Sequence, residues 1–311
     1  MKLKSQPSDF IVEEISNLNF NDSGKYCYYK LKKTNLDTLS AVQRIANEFK
    51  INKKYINIAG TKDKVAVTTQ FISISKGPEN GFKNEQINLE FLGHGNERLN
   101  LGMLKGNKFT IIVRDIAKKE MECFERNKDD AVFVNYYDGQ RFGVKKNNHI
   151  VGRLIVKRDF EKAVKELLKS EHYPNNLIKK HIEKHKTDFI GALRSVPKRV
   201  LLMYVHAYQS YLWNKTAEKM NKEQQDVSLI GFDIEDRNDV IDEIMKEEEI
   251  TERDFLIKEM PELCAAGGKR KLLMDVKDFK YEKLDDSAIK LEFSLGKGSY
   301  ATMVVKILFS S

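Results

Sequence analysis

What most constrains this chain is a change of hydrophobic period that happens twice along its length. Residues 8–31 read as strands around a turn at Asn21-Asp22-Ser23-Gly24, with a tyrosine-rich alternation from Lys25 to Leu31. The period then lengthens: Leu36, Leu39, Val42, Ile45, Ala46 and Phe49 recur at three- and four-residue steps, an amphipathic helix that Thr34 or Asn35 could cap. Short strands follow at 55–59 and 65–75 around a tight loop, then at 87–92, 108–114 and 131–135. The middle is helical, over 159–169, 176–186 and 198–219. In the last of these, Leu201, Tyr204, Val205, Tyr208, Tyr211 and Leu212 form a stripe after Pro197. The end reverts to strand, with Lys290 to Leu295, a glycine turn and a last element from Ala301 to Phe309. A β–helical–β order predicts an α+β chain whose first half begins a sheet that the C-terminal part completes. The helical middle then reads as an insertion with edges near residues 151 and 269, and Ala265-Ala266-Gly267-Gly268 as its hinge candidate.

The length of 311 residues suits two modest domains, and 41% apolar with 32% charged residues suits a globular protein. No stretch approaches the ~20 apolar residues that span a bilayer, and Met1 to Pro7 has no apolar signal core, so a cytoplasmic address is expected. Cys27, Cys123 and Cys264 are odd in number, widely spaced and free of any CxxC pair, which predicts free thiols rather than a disulfide framework or zinc ribbon. A net charge of +8 and a pI of about 9.0 favour a polyanionic partner. From Lys145 to Lys186 there are twelve Lys/Arg against five Asp/Glu, and from Asp233 to Glu259 twelve acidic against four basic residues. A phosphate backbone is expected to seek the first segment, at Lys157, Arg158 and Lys162 among others, and to avoid the second. Solvated helix faces are the alternative reading of both.

No GxxxxGK[ST] loop and no GxGxxG opening a helix after a strand is present, which argues against an NTP-hydrolysing or dinucleotide-binding fold. His181 and His185 stand four apart on a predicted helix but lack a third ligand nearby, so no metal is expected. Side chains must therefore carry any chemistry. Asp63 lies in a loop between two apolar strands, flanked by Lys62 and Lys64, where it could serve as nucleophile or base. The other reading of Lys-Asp-Lys is an ordinary hairpin turn. A second constellation, Asn135-Tyr136-Tyr137-Asp138-Gly139-Gln140-Arg141-Phe142-Gly143, combines amides, aromatics and arginine. Amides read base edges, aromatics stack on bases and arginine meets phosphate; core packing of an aromatic strand end is its alternative.

Together these segments resemble the TruD family of pseudouridine synthases, whose eukaryotic and archaeal relatives act on tRNA. Pro7-Ser8-Asp9-Phe10-Ile11-Val12-Glu13-Glu14 resembles the family's Pro-x-Asp-Phe-x-Val-x-Glu start, and Ala59 to Gln70 its catalytic signature. Leu104 to Phe109, Asn135 to Gly143, Tyr208 to Asn214 and Phe293 to Thr302 are similar to further blocks, in family order over nearly the whole chain.

The resemblance implies a catalytic pseudouridine-synthase domain over 1–150 and 270–311, with a mixed, largely antiparallel sheet. An inserted α/β domain of the TRUD type would occupy 151–269. It implies conversion of uridine, at position 13 of tRNA, to pseudouridine. Asp63 would be the catalytic carboxylate, attacking the ribose or assisting glycosidic cleavage; a covalent adduct and a glycal both stay open. Phe10, Asn135 and Tyr300 would line the uridine pocket and Tyr137 would stack on the base. Lys62 would be the basic neighbour of Asp63, and Lys4 a basic group at the entrance. No metal, nucleotide or organic cofactor is implied, and a monomer is expected. Two positions depart from the family block: Tyr137-Asp138 replaces its usual Phe-Gly, adding a hydroxyl and a carboxylate. The competing functional reading is a non-catalytic RNA-binding or RNA-folding protein on the same scaffold. A metal-dependent nuclease is a third, and lacks a carboxylate cluster.

Overall fold

The computed structural model describes residues 1–100, 103–129, 131–169, 173–223 and 226–310. In chain order the elements are β1 (Phe10–Ser16), β2 (Tyr26–Thr34), α1 (Thr38–Glu48), β3 (Ile56–Ile58), β4 (Val67–Ser75), β5 (Phe82–Lys83), β6 (Ile87–Gly95), β7 (Leu104–Val113), α2 (Lys118–Asn127), α3 (Asn148–Val156), α4 (Phe160–Leu168), α5 (Asn175–Lys184), α6 (Phe189–Arg194), α7 (Lys198–Lys219), β8 (Asp226–Leu229), α8 (Asp239–Glu247), β9 (Gly268–Lys271), β10 (Lys277–Asp285), β11 (Ala288–Gly296) and α9 (Ala301–Phe309). They form two compact units. One is Met1–Phe133 with Met274 onward, and the other is Val134–Leu273.

The first unit is built on one mixed, largely antiparallel sheet in the order β10-β11-β7-β1-β4-β2-β6-β5, with β3 paired to β4. Only β1 and β4 run parallel among these pairs, at Ile11↔Val67 and Glu13↔Thr69. The C-terminal strand β11 pairs with β7 from Ile289↔Val113 to Gly296↔Gly106, so the sheet begun by the first half is completed by the end of the chain. Two apolar clusters flank it. Phe10, Val12, Phe109, Ile111 and Phe293 pack with Val304, Val305 and Leu308 of α9, and Tyr29, Leu31, Ile72 and Ile74 pack with Ala41, Val42 and Ile45 of α1. Each full burial of such a side chain stabilises by roughly 1.5–3 kcal/mol.

The structure departs from the local expectations at four points. The last element, grouped with the strands from sequence, is helix α9. Its buried residues Ala301, Val304, Val305 and Leu308 fall on one helical stripe. Residues 131–135 form no strand; Val134 makes a single bridge to Leu273. Helix α1 is capped by Asp37, whose carboxylate accepts from the Ser40 N–H at 2.9 Å. Asn35 instead takes a left-handed φ of 49°, and Leu39 of the expected stripe faces solvent.

The second unit gathers α3 to α8 and the β8–β9 pair. Helix α7 has the span its sequence pattern predicts, Lys198–Lys219. The expected stripe buries Leu201, Tyr204, Val205, Tyr208 and Leu212. The opposite side is buried too, at Ala207, Gln209, Ser210, Trp213, Thr216 and Ala217. A helix enclosed on most sides shows no single polar face. Among the described residues no helix is long and apolar enough to cross a membrane.

The two oppositely charged segments are laid against each other within this unit. Arg153 pairs with Glu248, Lys157 with Glu249, and Arg158 with Asp254 and Glu259. Lys215 and Lys219 hold Glu247, Glu248 and Glu243, and their hydrogen bonds hold the Glu247 carboxyl down at about 2. Lys157 and Arg158, where phosphate contacts were expected, take part in internal ion pairs. Lys162 pairs with Asp159 on its own helix. Glu171, one of the five acidic residues of the basic segment, lies outside the described residues.

Candidate active site

The loop from Ala59 to Ala66 joins β3 to β4 and is held from beneath by three buried polar side chains. Lys33 Nζ donates to the main-chain carbonyls of Asp63 at 2.9 Å and Leu36 at 2.6 Å. Thr38 Oγ1 accepts from the Lys62 N–H at 2.9 Å and lies 3.1 Å from Gln70 Oε1, while Gln70 Nε2 donates to the Gly60 carbonyl at 3.2 Å. A simple hairpin turn needs no such supports. Buried polar groups are tolerated where each finds a partner, and the partners here are the backbone of the loop carrying Asp63.

The ammonium that meets the Asp63 carboxylate belongs to Lys4, with Nζ 2.5 Å from Oδ2. The same Nζ lies 4.1 Å from the centroid of the Phe10 ring. Lys4, Phe10 and Asp63 are thus brought to one point from residues 59 positions apart. Lys4 adopts a left-handed φ of 59°, a conformation uncommon for a side chain-bearing residue. Lys62 turns the other way and pairs with the buried Glu14, Nζ to Oε2 at 2.8 Å. Glu14 Oε1 is buried without a hydrogen-bond partner.

The opening motif now has a physical reading. Asp9, fully buried, is held by Gln6 and by Arg114 at 2.9–3.1 Å; although burial pushes its carboxyl up, these hydrogen bonds carry it below its ordinary value. Phe10 packs edge-on against Phe109, with centroids 6.2 Å apart. Glu14 anchors Lys62. The motif's two acids therefore brace the strand whose first residue is Phe10.

Burial pulls the Lys33 ammonium from its ordinary 10.5 down to about 8, against the attraction of Asp63 and Asp37 and with the repulsion of Lys62. Below pH 8 Lys33 is charged in both folded and unfolded chains, and the burial cost is fully present. Between about 8 and 10.5 the unfolded chain binds more protons, so stability rises with pH. Wild type should gain stability relative to Lys33→Met over that interval in denaturant titrations; a gap independent of pH would refute the assignment.

The Asn135 and Tyr137 block lies in the second unit, where Arg270 of β9 organises it. Arg270 donates to the Asn135 carbonyl at 2.8 and 3.0 Å and to Asn135 Oδ1 at 2.7 Å. Asn135 Nδ2 donates to the Lys271 carbonyl at 3.1 Å. The guanidinium lies 4.0 Å from the Tyr137 ring centroid, and Trp213 packs on that ring at 5.7 Å, perpendicular to it. The Tyr137 backbone is clamped by Asn214, which accepts from its N–H at 2.8 Å and donates to its carbonyl at 2.9 Å. The Tyr208–Asn214 block is the support of this arrangement. Gln209 donates to the carbonyls of Ile230 and Ala266, and Ser210 accepts from Arg141 at 2.9 Å. Asp138 caps the following 3₁₀ turn, accepting from the Gly139 N–H at 2.6 Å, and Gly143 needs its φ of 80°. The departure from Phe-Gly thus places a turn-capping carboxylate at position 138.

Tyr300 stands in the first unit at the N-cap of α9, after the glycine loop that ends β11. The residues that sequence reasoning missed are Lys33, Thr38 and Arg270. Lys33 had a signal, a lysine inside an alternating strand at an inward position; Arg270 had none. His181 meets Asp188 at 2.9 Å, and no group of three metal-ligating side chains occurs among the described residues.

Comparison with known proteins shows the family. The family model for tRNA pseudouridine synthase D (TruD) matches residues 1–177, 169–230 and 228–308. The chain is 30% identical to tRNA pseudouridine synthase D of Aquifex aeolicus over 100% of its own length and 98% of the relative's. It is 33% identical to the "Probable tRNA pseudouridine synthase D" of Methanococcus vannielii, covering 98% and 94%. A crystal structure from Methanosarcina mazei carrying the same family name superposes with a TM-score of 0.78 at 26% identity, over 99% of this chain and 93% of that one. The chain belongs to the tRNA pseudouridine synthase D (TruD) family of isomerases.

Proposed function

We propose that this protein converts uridine to pseudouridine in tRNA, at position 13, with Asp63 as the catalytic carboxylate and no cofactor. The observation that carries the proposal is the Asp63 carboxylate, half-exposed and gripped by Lys4 on a loop whose backbone is tied down by Lys33, Thr38 and Gln70. A fixed carboxylate with a cation beside it suits attack at ribose C1′ or assistance to cleavage there. The reaction breaks the bond from C1′ to uracil N1 and forms one from C1′ to C5. N1 gains a proton and C5 loses one. Product and substrate are isomers, so no redox partner or group donor is consumed.

In this reading Phe10 and Tyr300 contact the target nucleoside, Tyr137 stacks on the base, and Lys62 supports the loop through Glu14. Unstacking a base costs a few kcal/mol, part of which an aromatic partner returns. The amide of Asn135 has two donor and two acceptor positions, and one of each is used by Lys271 and Arg270, which leaves a donor and an acceptor for a uracil edge. Residues 1–150 with 270–311 form the catalytic domain and 151–269 the inserted one, the protein acts as a monomer, and it works in the cytoplasm. The test is incubation with unmodified tRNA transcripts followed by pseudouridine mapping. Product at position 13 supports the reading, and none with several tRNAs removes it.

Phosphate contact in the basic segment is reassigned to α5. Lys179, Lys180 and Lys184 are exposed there and have no carboxylate partner among the described residues. Reversing all three to Glu should weaken tRNA binding and reduce the salt slope by about two to three. Reversing Lys157 and Arg158 should act on stability, with an unchanged slope. Equal slopes in both sets would overturn the reassignment.

A further inference from the structure

Asn135 and Tyr137 are held by a residue that no motif identifies. Arg270 comes from β9, 135 positions along the chain from Asn135, and makes three hydrogen bonds to that one residue. An arginine can only donate and the Lys271 carbonyl can only accept. The two together leave the Asn135 side chain one orientation, Oδ1 toward Arg270 and Nδ2 toward Lys271. A flipped amide would set NH₂ against the guanidinium and oxygen against a carbonyl. The Cζ of the same guanidinium lies over the Tyr137 ring, 4.0 Å from its centroid, and 5.2 Å from that of Trp213. A planar, forked cation can do both tasks at once, whereas an ammonium on a flexible stem can do only one.

We propose that Arg270 is a positioning residue for base recognition: by locking the Asn135 amide and bracing the Tyr137 ring, it sets the edge and the stacking surface that the uracil meets. The proposal rests on the reading of Asn135 and Tyr137 as base contacts. Arg270 itself acts through them, and its guanidinium is spent on protein groups. The site is therefore arranged before RNA arrives, which is how a recognition site avoids ordering costs on binding.

The experiment compares wild type, Arg270→Lys and Arg270→Gln in single-turnover conversion of a tRNA transcript, with tRNA affinity measured across salt concentrations. Wild-type activity is the control that separates the two claims: an inactive wild type removes the proposed function, and an active one puts the weight on Arg270. Arg270→Lys should slow conversion by about 100-fold, the cost of a misplacement on the order of 1 Å. Affinity should stay within about threefold and the salt slope should not change, because no phosphate contact is lost. In an Asn135→Ala background the further loss from Arg270→Lys should shrink to about threefold, since interacting residues are non-additive. Arg270→Gln, which keeps a donor toward Asn135 without the fork, serves where the lysine variant does not fold. Wild-type rates in Arg270→Lys, a loss confined to affinity with a shallower salt slope, or full additivity with Asn135→Ala would each overturn the proposal.

Discussion

Asp63→Asn should bind tRNA and convert none of it. The single-turnover rate is expected to fall on the order of 10⁴-fold or more, the scale of losing a group that reacts directly with substrate. Tight binding should survive because the loop is tied down through its main chain. Lys33 grips the main-chain carbonyl of residue 63, and Thr38 and Gln70 hold residues 62 and 60. The pair with Lys4 is lost, and a partly exposed ion pair contributes about 0–1 kcal/mol. The loss of thermal stability should be small beside the loss of rate, since the Lys33 ammonium gives up the attraction of Asp63 but keeps its two carbonyl partners. A variant that still forms pseudouridine at an ordinary rate would remove Asp63 from the chemistry. One that loses activity together with tRNA affinity would instead make it a binding residue, which is the outcome a non-catalytic RNA-binding scaffold predicts.

The second large effect is on stability and sits next door. Lys62→Met strands the Glu14 carboxylate, whose side chain is 0% exposed and whose Oε1 is already without a partner. Breaking a buried pair from one side typically costs about 3–5 kcal/mol, because the remaining charge is left in a poor solvent. For a chain of this size that is a fall in melting temperature of roughly 10 °C. Adding Glu14→Met should restore most of the loss, since a buried pair exchanged for apolar groups of similar volume is often neutral or better. The four melting temperatures of wild type, each single variant and the double variant close the cycle. Additive losses would mean that Lys62 and Glu14 act independently.

Much of this molecule can be read from its sequence, and the failures share one cause. Strands β2, β4 and β7 and helix α7 follow from local period, and α7 even in its bounds, because each buries a contiguous pattern. The grouping of Asp63 with Lys4 and Phe10 was available only through the family resemblance. Sequence neighbourhood pointed to Lys62, whose ammonium faces Glu14 instead. Likewise, the charge segregation between 145–186 and 233–259 suggested one surface for RNA and one against it, but chain folding sets Arg153, Lys157 and Arg158 on the acidic residues. Arg270 shows the same limit at its sharpest. Its partners lie 135 residues away, and nothing in Gly-Lys-Arg-Lys marks the third residue from the others. Period and turn chemistry are short-range quantities, whereas the identity of a charge's partner is a property of the finished fold.

The position of β11 in the sheet has a consequence for synthesis. It lies between β10 and β7, so β7 has no neighbour on that side until residues 288–296 have been made. A nascent chain already long enough to include Asp63, Asn135 and Arg270 still presents the inward face of β7, with Phe109 and Ile111, to solvent or to a chaperone. Residues 134–273 can pack around α7 while the ribosome is still at work, because their core is contiguous in sequence. The unit carrying Asp63 cannot, and waits for β11 and α9. Premature termination between residues 273 and 288 therefore yields a chain with one finished unit and one open, adhesive sheet edge, a product fit for proteolysis rather than partial activity.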